Sequence, residues 1–464
     1  MKTRIPNGIA TRAGVVSVTM VLLITTVGRM LGFVREVLIS SSYGTSGPAD
    51  AFFTVQQLPT IMAAFVFGPF MIAFIPYYAA LREAGSQGEA VRGALRVTFV
   101  VGVVMTGLMV VGGTLFSILG AASPSDSQSQ FGVFAVILAW SVLPLLVTGL
   151  ASVVLHARGQ NVGGMAIAAL TPAGMLVVLL VLTVVPIVGH SEALPWSFVA
   201  GAAISGMVGV VVLRRNLTGE SSVAERARVD SQKRQFRKQL FASSLENVGF
   251  SLNQALTVWL AAGLGGGAVA TFAYGFRLSA FGFSTLSPVN TWIQTWMTRD
   301  PSHRDGRKLY VVVATMAGLV AGIGVVVILA ARPLVDLVYL RGSFSEGDAV
   351  SVAALLPPLA IYGVIVSVNQ LMARYFFVHQ RGQVYSRVMI AAYVVGIGLK
   401  VTFIEQLGLS GIVWGSVVAE GVALAYFLLH MIRRGRLYDV SNAARGSADR
   451  LHRDDAVQVT RDVG

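Results

Sequence analysis

The chain has 464 residues, 55% of them hydrophobic and only 12% charged, with a mean hydropathy of +0.71. A soluble domain carries about 25% charged residues and has no core large enough to hide this much apolar surface, so the composition excludes a soluble globular class and points to a bilayer. Cysteine is absent, which excludes disulfides, thiol nucleophiles and thiolate metal sites.

A membrane-crossing helix needs about 20 mostly apolar residues. Twelve segments meet that rule: 13–40, 50–80, 93–120, 131–155, 164–187, 196–213, 240–262, 268–297, 309–331, 350–378, 385–404 and 410–432. Lys2, Arg4 and Arg12 precede the first, whose apolar run exceeds a signal-peptide core, so it is expected to stay as a span. The first, second, eighth and tenth segments are long enough to tilt or bend. Pro59, Pro69 and Pro76, with Gly68 beside them, predict a kink in the second, because proline removes a helical hydrogen bond and clashes with the preceding turn.

Lysine and arginine set the orientation. With the N-terminus in the cytoplasm, 28 of the 35 basic residues fall on the inner side, counting Arg96 and Arg387 at the inner ends of their segments; only Arg332 and Arg341 fall outside, and the other five lie within segments. Both termini are therefore predicted cytoplasmic. The net charge of +13 reads as a basic inner rim rather than a nucleic-acid surface. The Arg-, Lys-, Ser- and Gln-rich stretch 214–238 divides the chain into two six-helix lobes, 1–213 and 239–432, and the polar tail 433–464 is expected to be disordered. Leu31-Gly32-Phe33 has a counterpart in Val248-Gly249-Phe250, each followed by a glycine-rich turn. Paired halves around a midplane site are a common transporter plan.

Charge within a bilayer costs about 2.5–3.5 kcal/mol per group, so each buried charge needs a partner, a wet cavity or a ligand. Arg29 stands about 16 residues into the first segment and Arg277 about ten into the eighth, roughly 24 and 15 Å deep at the helical rise; both point to a cavity. Arg35 has Glu36 and Asp50 within reach as structural partners. Arg374 and Lys400 lie near segment ends and are expected to snorkel. Glu246, Asn253, Gln254 and Glu420 are further polar residues in the second half. With arginine outnumbering carboxylates at the most central positions, the cavity is expected to take an anion, phosphate or pyrophosphate, which a guanidinium grips in bidentate fashion. The six histidines show no i, i+4 zinc spacing, and no nucleophile–base set or phosphate loop appears, so no enzyme and no cofactor is expected. The coupling ion, if one is used, is unidentified.

The run Gly28-Arg29-Met30-Leu31-Gly32-Phe33-Val34-Arg35-Glu36 resembles the first-span motif of the MurJ (MviN) family of lipid II flippases. The likeness continues through Tyr43-Gly44, Ala49-Asp50-Ala51-Phe52-Phe53, Leu58-Pro59 and Ala73-Phe74-Ile75-Pro76, then Ala273-Tyr274, Arg277-Leu278, Arg341-Gly342-Ser343-Phe344 and Ala373-Arg374-Tyr375-Phe376-Phe377. The resemblance implies a fold of the MOP superfamily, all-α, with two lobes in a V around a cationic cavity that opens to alternate sides. It implies a polyprenyl-pyrophosphate-linked saccharide as cargo, carried across the bacterial cytoplasmic membrane, with membrane lipids and glycan-synthesis enzymes as partners. It places Arg29, Arg35 and Arg277 on the pyrophosphate and Asp50 as an ion-pair or gating residue; the residues themselves add Glu36 as an ion-pair candidate and Arg374, Glu246 and Asn253 as secondary candidates. Two departures stand out. Ala63 and Ala64 replace consecutive basic residues of the family, and twelve segments are found where the family commonly has fourteen. Both leave room for a sister transporter of exopolysaccharide or O-antigen repeat units. A MATE-like small-molecule antiporter is the other transporter reading, and would need a coupling carboxylate; a non-transporting membrane scaffold is the third reading.

Overall fold

The computed structural model describes residues 12–83, 87–120, 126–185, 187–217, 249–284, 293, 297, 307–379 and 381–433. Glu246, most of the 214–238 stretch and the tail after Arg433 lie outside the described residues. Among the described residues the regular structure is entirely helical. That is the form in which a single segment satisfies every backbone hydrogen bond without water.

The first half comprises α1 (Arg12–Tyr43), α2 (Gly47–Glu83), α3 (Gln87–Gly120), α4 (Asp126–Ala139), α5 (Val142–Ala157), α6 (Asn161–Val184) and α7 (Ala193–Arg214). The second comprises α8 (249–262), α9 (Ala268–Ser284), α10 (Arg307–Leu329), α11 (Ala331–Tyr339), α12 (Glu346–Val378), α13 (Gly382–Leu407) and α14 (Leu409–Arg433). Seven of these are long and apolar enough to cross a membrane, and α4 with α5 forms an eighth as a bent pair. The chain is a multi-pass membrane protein. In sequence, each predicted segment falls on a helix or, where masked residues interrupt it, on the described part of one.

One local expectation changes. The segment 131–155 is not one rod: α4 and α5 meet at 42°, broken at Trp140 and Ser141. Pro144 lacks the N–H that would bond the Trp140 carbonyl, and its ring crowds that carbonyl. The Ser141 hydroxyl instead donates to the Leu138 carbonyl at 2.6 Å. By contrast α2 continues as helix from Gly47 to Glu83 through all three prolines. The nine-residue α11 also escaped the span rule. It is too short to cross, yet Val335 and Tyr339 are fully buried and anchor it.

The halves share one apolar core at a single end of the bundle, built from Ile39, Tyr43, Phe52, Phe53, Tyr274, Tyr339 and Phe344. Away from that end the cores separate: Phe74, Tyr78, Leu150 and Val154 belong to the first half, and Met372, Phe376, Met389 and Phe427 to the second. At the shared end the chain turns tightly. Gly44 and Gly342 take φ of +55° and +62°, a region that only glycine enters freely. A Cβ on Gly44 would lie 2.5 Å from the Ser343 carbonyl, and one on Gly342 would strike the Ser41 carbonyl.

Gly342→Ala is accordingly expected to destabilise the detergent-solubilised protein by about 1–3 kcal/mol, read as a lower thermal midpoint by tryptophan fluorescence. Gly107→Ala, whose Cβ meets nothing within 4 Å, should leave the midpoint unchanged or raise it. Equal midpoints for the two variants would refute the junction's close packing.

Candidate functional site

Where α1 faces α9, three charged side chains meet. Arg35 donates from Nε to Glu36 Oε1 at 3.0 Å and pairs with the same oxygen through its terminal nitrogen. Arg277 pairs with the other carboxylate oxygen, Oε2. The Glu36 side chain is only 3% exposed, against 14% for Arg35 and 22% for Arg277. A carboxylate so deeply buried is tolerable because both of its oxygens are occupied by cations. Two guanidiniums against one carboxylate leave the group with a net charge of +1, and the arginines are its accessible members.

Neighbours fix the forks. Arg277 also donates to Gln56 Oε1 on α2 at 3.2 Å, and its Cζ sits 4.4 Å from the centre of the Phe53 ring, a cation–π contact. Arg35 touches the Met175 sulfur on α6 at 3.7 Å. One turn along α1, Phe33 stacks on Phe281 of α9 at 4.8 Å. The guanidiniums are thereby held in a wall rather than swinging free.

That wall bounds a cavity of about 330 Å³ whose lining includes Arg35, Arg277, Gln56, Gln57 and Thr60. A second hollow of about 220 Å³ shares Gln57, Thr60 and Arg277 and extends toward Ser251 and Gln254 on α8. Amide, hydroxyl and guanidinium groups thus face an open cleft between apolar helices. This arrangement can bind an oxyanion and a polyhydroxylated group beside it. Ala63 also lines the first cavity, so a methyl stands at one of the positions where the family resemblance puts a basic residue. Gln56, Gln57 and Thr60 had not been singled out from the sequence; three polar residues in an apolar span were the signal.

The remaining predicted residues separate. Among the described residues Asp50 pairs with no arginine. It reaches across to α9 and accepts backbone hydrogen bonds from Gly267 at 2.5 Å and Ala270 at 2.6 Å, capping a helix N-terminus, where the dipole favours an anion. Around this cap Tyr274 donates to the Gly44 carbonyl at 2.9 Å, Ser343 N–H to the Ser41 carbonyl at 2.7 Å, and Thr45 bonds Asp348. This end of the bundle is closed. Arg29 lies seven residues before Glu36, about two turns away on the same helical face, half-buried. Arg374 is half-buried on α12, its Nε buried without a hydrogen-bond partner. Lys400 does not snorkel. It is 1% exposed, and its Nζ donates to Asn253 Oδ1 and Thr257 Oγ1, both at 2.7 Å. Asn253 is thus committed to a structural tie between α8 and α13. Near it, Glu420 accepts from Tyr362 at 3.1 Å.

The family model of the lipid II flippase MurJ matches residues 39–449. A curated "Probable lipid II flippase MurJ" from Buchnera aphidicola subsp. Baizongia pistaciae (strain Bp) is 46% identical over 55 residues, 12% of this chain and 11% of that relative. The match therefore spans about a ninth of that curated relative's length. Among solved structures, a lipid II flippase MurJ in an inward closed conformation superposes with a TM-score of 0.71 at 14% identity, covering 89% of this chain and 87% of that one. An inward-facing multidrug resistance MATE family transporter of the MOP superfamily also gives 0.71, at 15% identity over 90% of this chain and 98% of that one. At such identities the two structures share the fold.

Replacing Glu36 by glutamine removes the counter-charge common to both arginines. The Glu36→Gln protein is expected to lose about 3–5 kcal/mol of stability, and adding Arg35→Gln should restore part of it, with a coupling of about 1–3 kcal/mol. A double-mutant cycle on unfolding in detergent checks this; strictly additive effects would mean the groups do not interact.

Proposed function

The chain belongs to the MurJ lipid II flippase family, and from that premise we propose that it moves a polyprenyl-pyrophosphate-linked saccharide from the inner to the outer leaflet of the bacterial cytoplasmic membrane. The observation that carries the reading is the convergence of Arg35 and Arg277, from opposite halves of the chain, on Glu36 at the wall of a polar cavity. A diphosphate offers each fork a bidentate acceptor. It binds through the guanidinium N–H groups that Glu36 does not use, so the buried carboxylate keeps both of its cations. No bond is made or broken in the cargo; the surplus positive charge of the group supplies the attraction.

In this reading twelve helices span the bilayer with both termini in the cytoplasm, in two lobes, 1–213 and 239–432, joined by the 214–238 linker. The closed end faces outside. The Asp50 cap on α9, the Tyr274–Gly44 bond and the Ser343–Ser41 bond are its latch. Outward release requires breaking them, and the separate cores at the other end permit the lobes to rock. Cargo must bind comparably in both open states, since a ligand favouring one state would hold the protein there.

The saccharide is lipid II or a related repeat unit. Ala63 in the cavity wall supports the second option, because it supplies space rather than charge beside the arginines. A cation-coupled antiporter would need an available carboxylate in this cavity, whereas Glu36 is held by two arginines and Asp50 by two amides.

In bacteria depleted of their own lipid II flippase, the wild-type chain is expected to restore growth, and Arg35→Ala/Arg277→Ala, expressed to the same level, to fail. Each single loss of a charge-assisted pair should weaken diphosphate binding by roughly 10- to 100-fold, from about 1.5–3 kcal/mol. Rescue by the double variant would sink the arginine mechanism; failure of a correctly inserted wild type would redirect the reading to another glycan.

The latch has its own test, which the lack of native cysteine makes simple. With Gln57→Cys as the only thiol, Asp50→Ala should raise its reaction with an impermeant maleimide added outside by roughly 5- to 30-fold, for an opening shift of one or two kcal/mol. An unchanged rate would remove Asp50 from the gate.

A further inference from the structure

The polar cavity has an apolar neighbour behind the same two helices. Along α2, Gln56, Gln57 and Thr60 face the arginines, while Thr54, Val55, Leu58 and Met62 face a separate hollow of about 540 Å³. α8 divides in the same way. Ser251 and Gln254 border the smaller hollow that reaches Arg277, and Trp259, Ala262 and Gly263 the apolar side. Met109, Gly112 and Phe116 of α3, with Phe131 of α4, form the far wall.

Its chemistry suits hydrocarbon. Apart from the Trp259 indole, Thr54 is the one polar side chain among the described residues that line it, and the Thr54 hydroxyl is already spent on the Asp50 carbonyl at 2.8 Å. Such a space holds no partners for water, and its volume falls in the range of ligand pockets. Gly112 contributes no side chain, and a Cβ there would meet nothing within 4 Å. Around it Leu108, Val111 and Leu115 are more than half exposed, which on a membrane helix is the lipid-facing surface. The hollow therefore opens sideways to lipid.

Depth supplies the occupant. Leu58 lies eleven residues into α2, about 16 Å from its start, level with Arg277 through the shared neighbour Gln57. A lipid whose diphosphate sits at the arginines must send its tail out of the polar cavity at that depth, through a seam between the halves. The α2–α8 seam is where an apolar hollow adjoins the polar one. Because α8 belongs to one half and α2, α3 and α4 to the other, the hollow changes shape whenever the halves move.

We propose that the hollow between α2, α3, α4 and α8 holds the proximal isoprenoid units of the transported lipid while its diphosphate occupies the Arg35–Arg277 cavity. This rests on the transport reading above. The seam makes the site part of the cargo path: the head travels through the polar side, and the tail slides along the apolar side without entering water.

The test uses the full chain in nanodiscs and a polyprenyl diphosphate with a diazirine in its first isoprene units. On illumination, label is expected on peptides containing Met62 and Met109. It should fall at least five-fold in Gly112→Leu and in Ala262→Leu, both of which fill the hollow, while inorganic pyrophosphate binding stays unchanged. A phosphatidylglycerol with an acyl-chain diazirine should label these peptides weakly. Equal labelling by that probe would make the hollow a bulk-lipid site and overturn the proposal. So would label that persists in both filling variants, or that maps elsewhere while Arg35→Ala/Arg277→Ala still abolishes pyrophosphate binding; in that last case the transport reading stands. If polyprenyl diphosphate bound no better than the polyprenyl alcohol, the transport reading would fail together with the tail site.

Discussion

A carboxylate almost devoid of solvent and the two guanidiniums that hold it dominate this molecule. In a low-dielectric interior an unpaired Glu36 would be intolerable, so α1 and α9 must approach closely enough for Arg277 to reach it. That requirement is one of the ties between the two halves of the chain, beside the Asp50 cap and the shared apolar core. The Phe33–Phe281 stack and the Phe53 ring beneath Arg277 are the packing that the ionic contact brings into register. The same group is also where an anion finds purchase, since its arginines are the solvent-accessible members and carry a surplus positive charge.

Around this centre, structural and functional charges are treated differently. Asp50 and Lys400 are satisfied outright, one by two backbone amides and the other by an amide oxygen and a hydroxyl. Each staples one helix to another: α2 to α9, and α13 to α8. Glu36 is instead shared between two arginines that also face the cavity. A transporter needs both kinds, because the halves must be rigid enough to move as units while their junction exchanges contacts. The division of the apolar core, common at the latched end and separate at the other, has the same consequence for motion.

Much of this architecture was legible in the residues. Apolar runs of about 20 residues marked the helices, and the depth of Arg277 along its segment marked the cavity. The limits were local. The prolines of α2 leave it helix from Gly47 to Glu83, while Pro144, which had drawn no attention, marks the break beside Trp140. Whether a proline ends a helix depends on the packing around it, and spacing along one chain does not contain that. Lys400 reads as a snorkelling residue because sequence gives depth along a helix but not the face it presents. Asn253 and Thr257, one turn apart on α8, could be recognised as its acceptors only once the two helices were packed.

By itself, then, the sequence determined a multi-pass helical membrane protein with arginines set deep within its helices. It did so because helix length, hydropathy and the cost of buried charge are properties of single segments. The tertiary structure decided that Glu36 joins Arg35 to Arg277, that Asp50 caps α9 instead of meeting an arginine, and that α2 and α8 carry a polar cavity on one side and an apolar hollow on the other. Those are relations between helices distant in the chain. They follow from which faces pack together, and pairing of this kind is set only when all the helices have closed on one another.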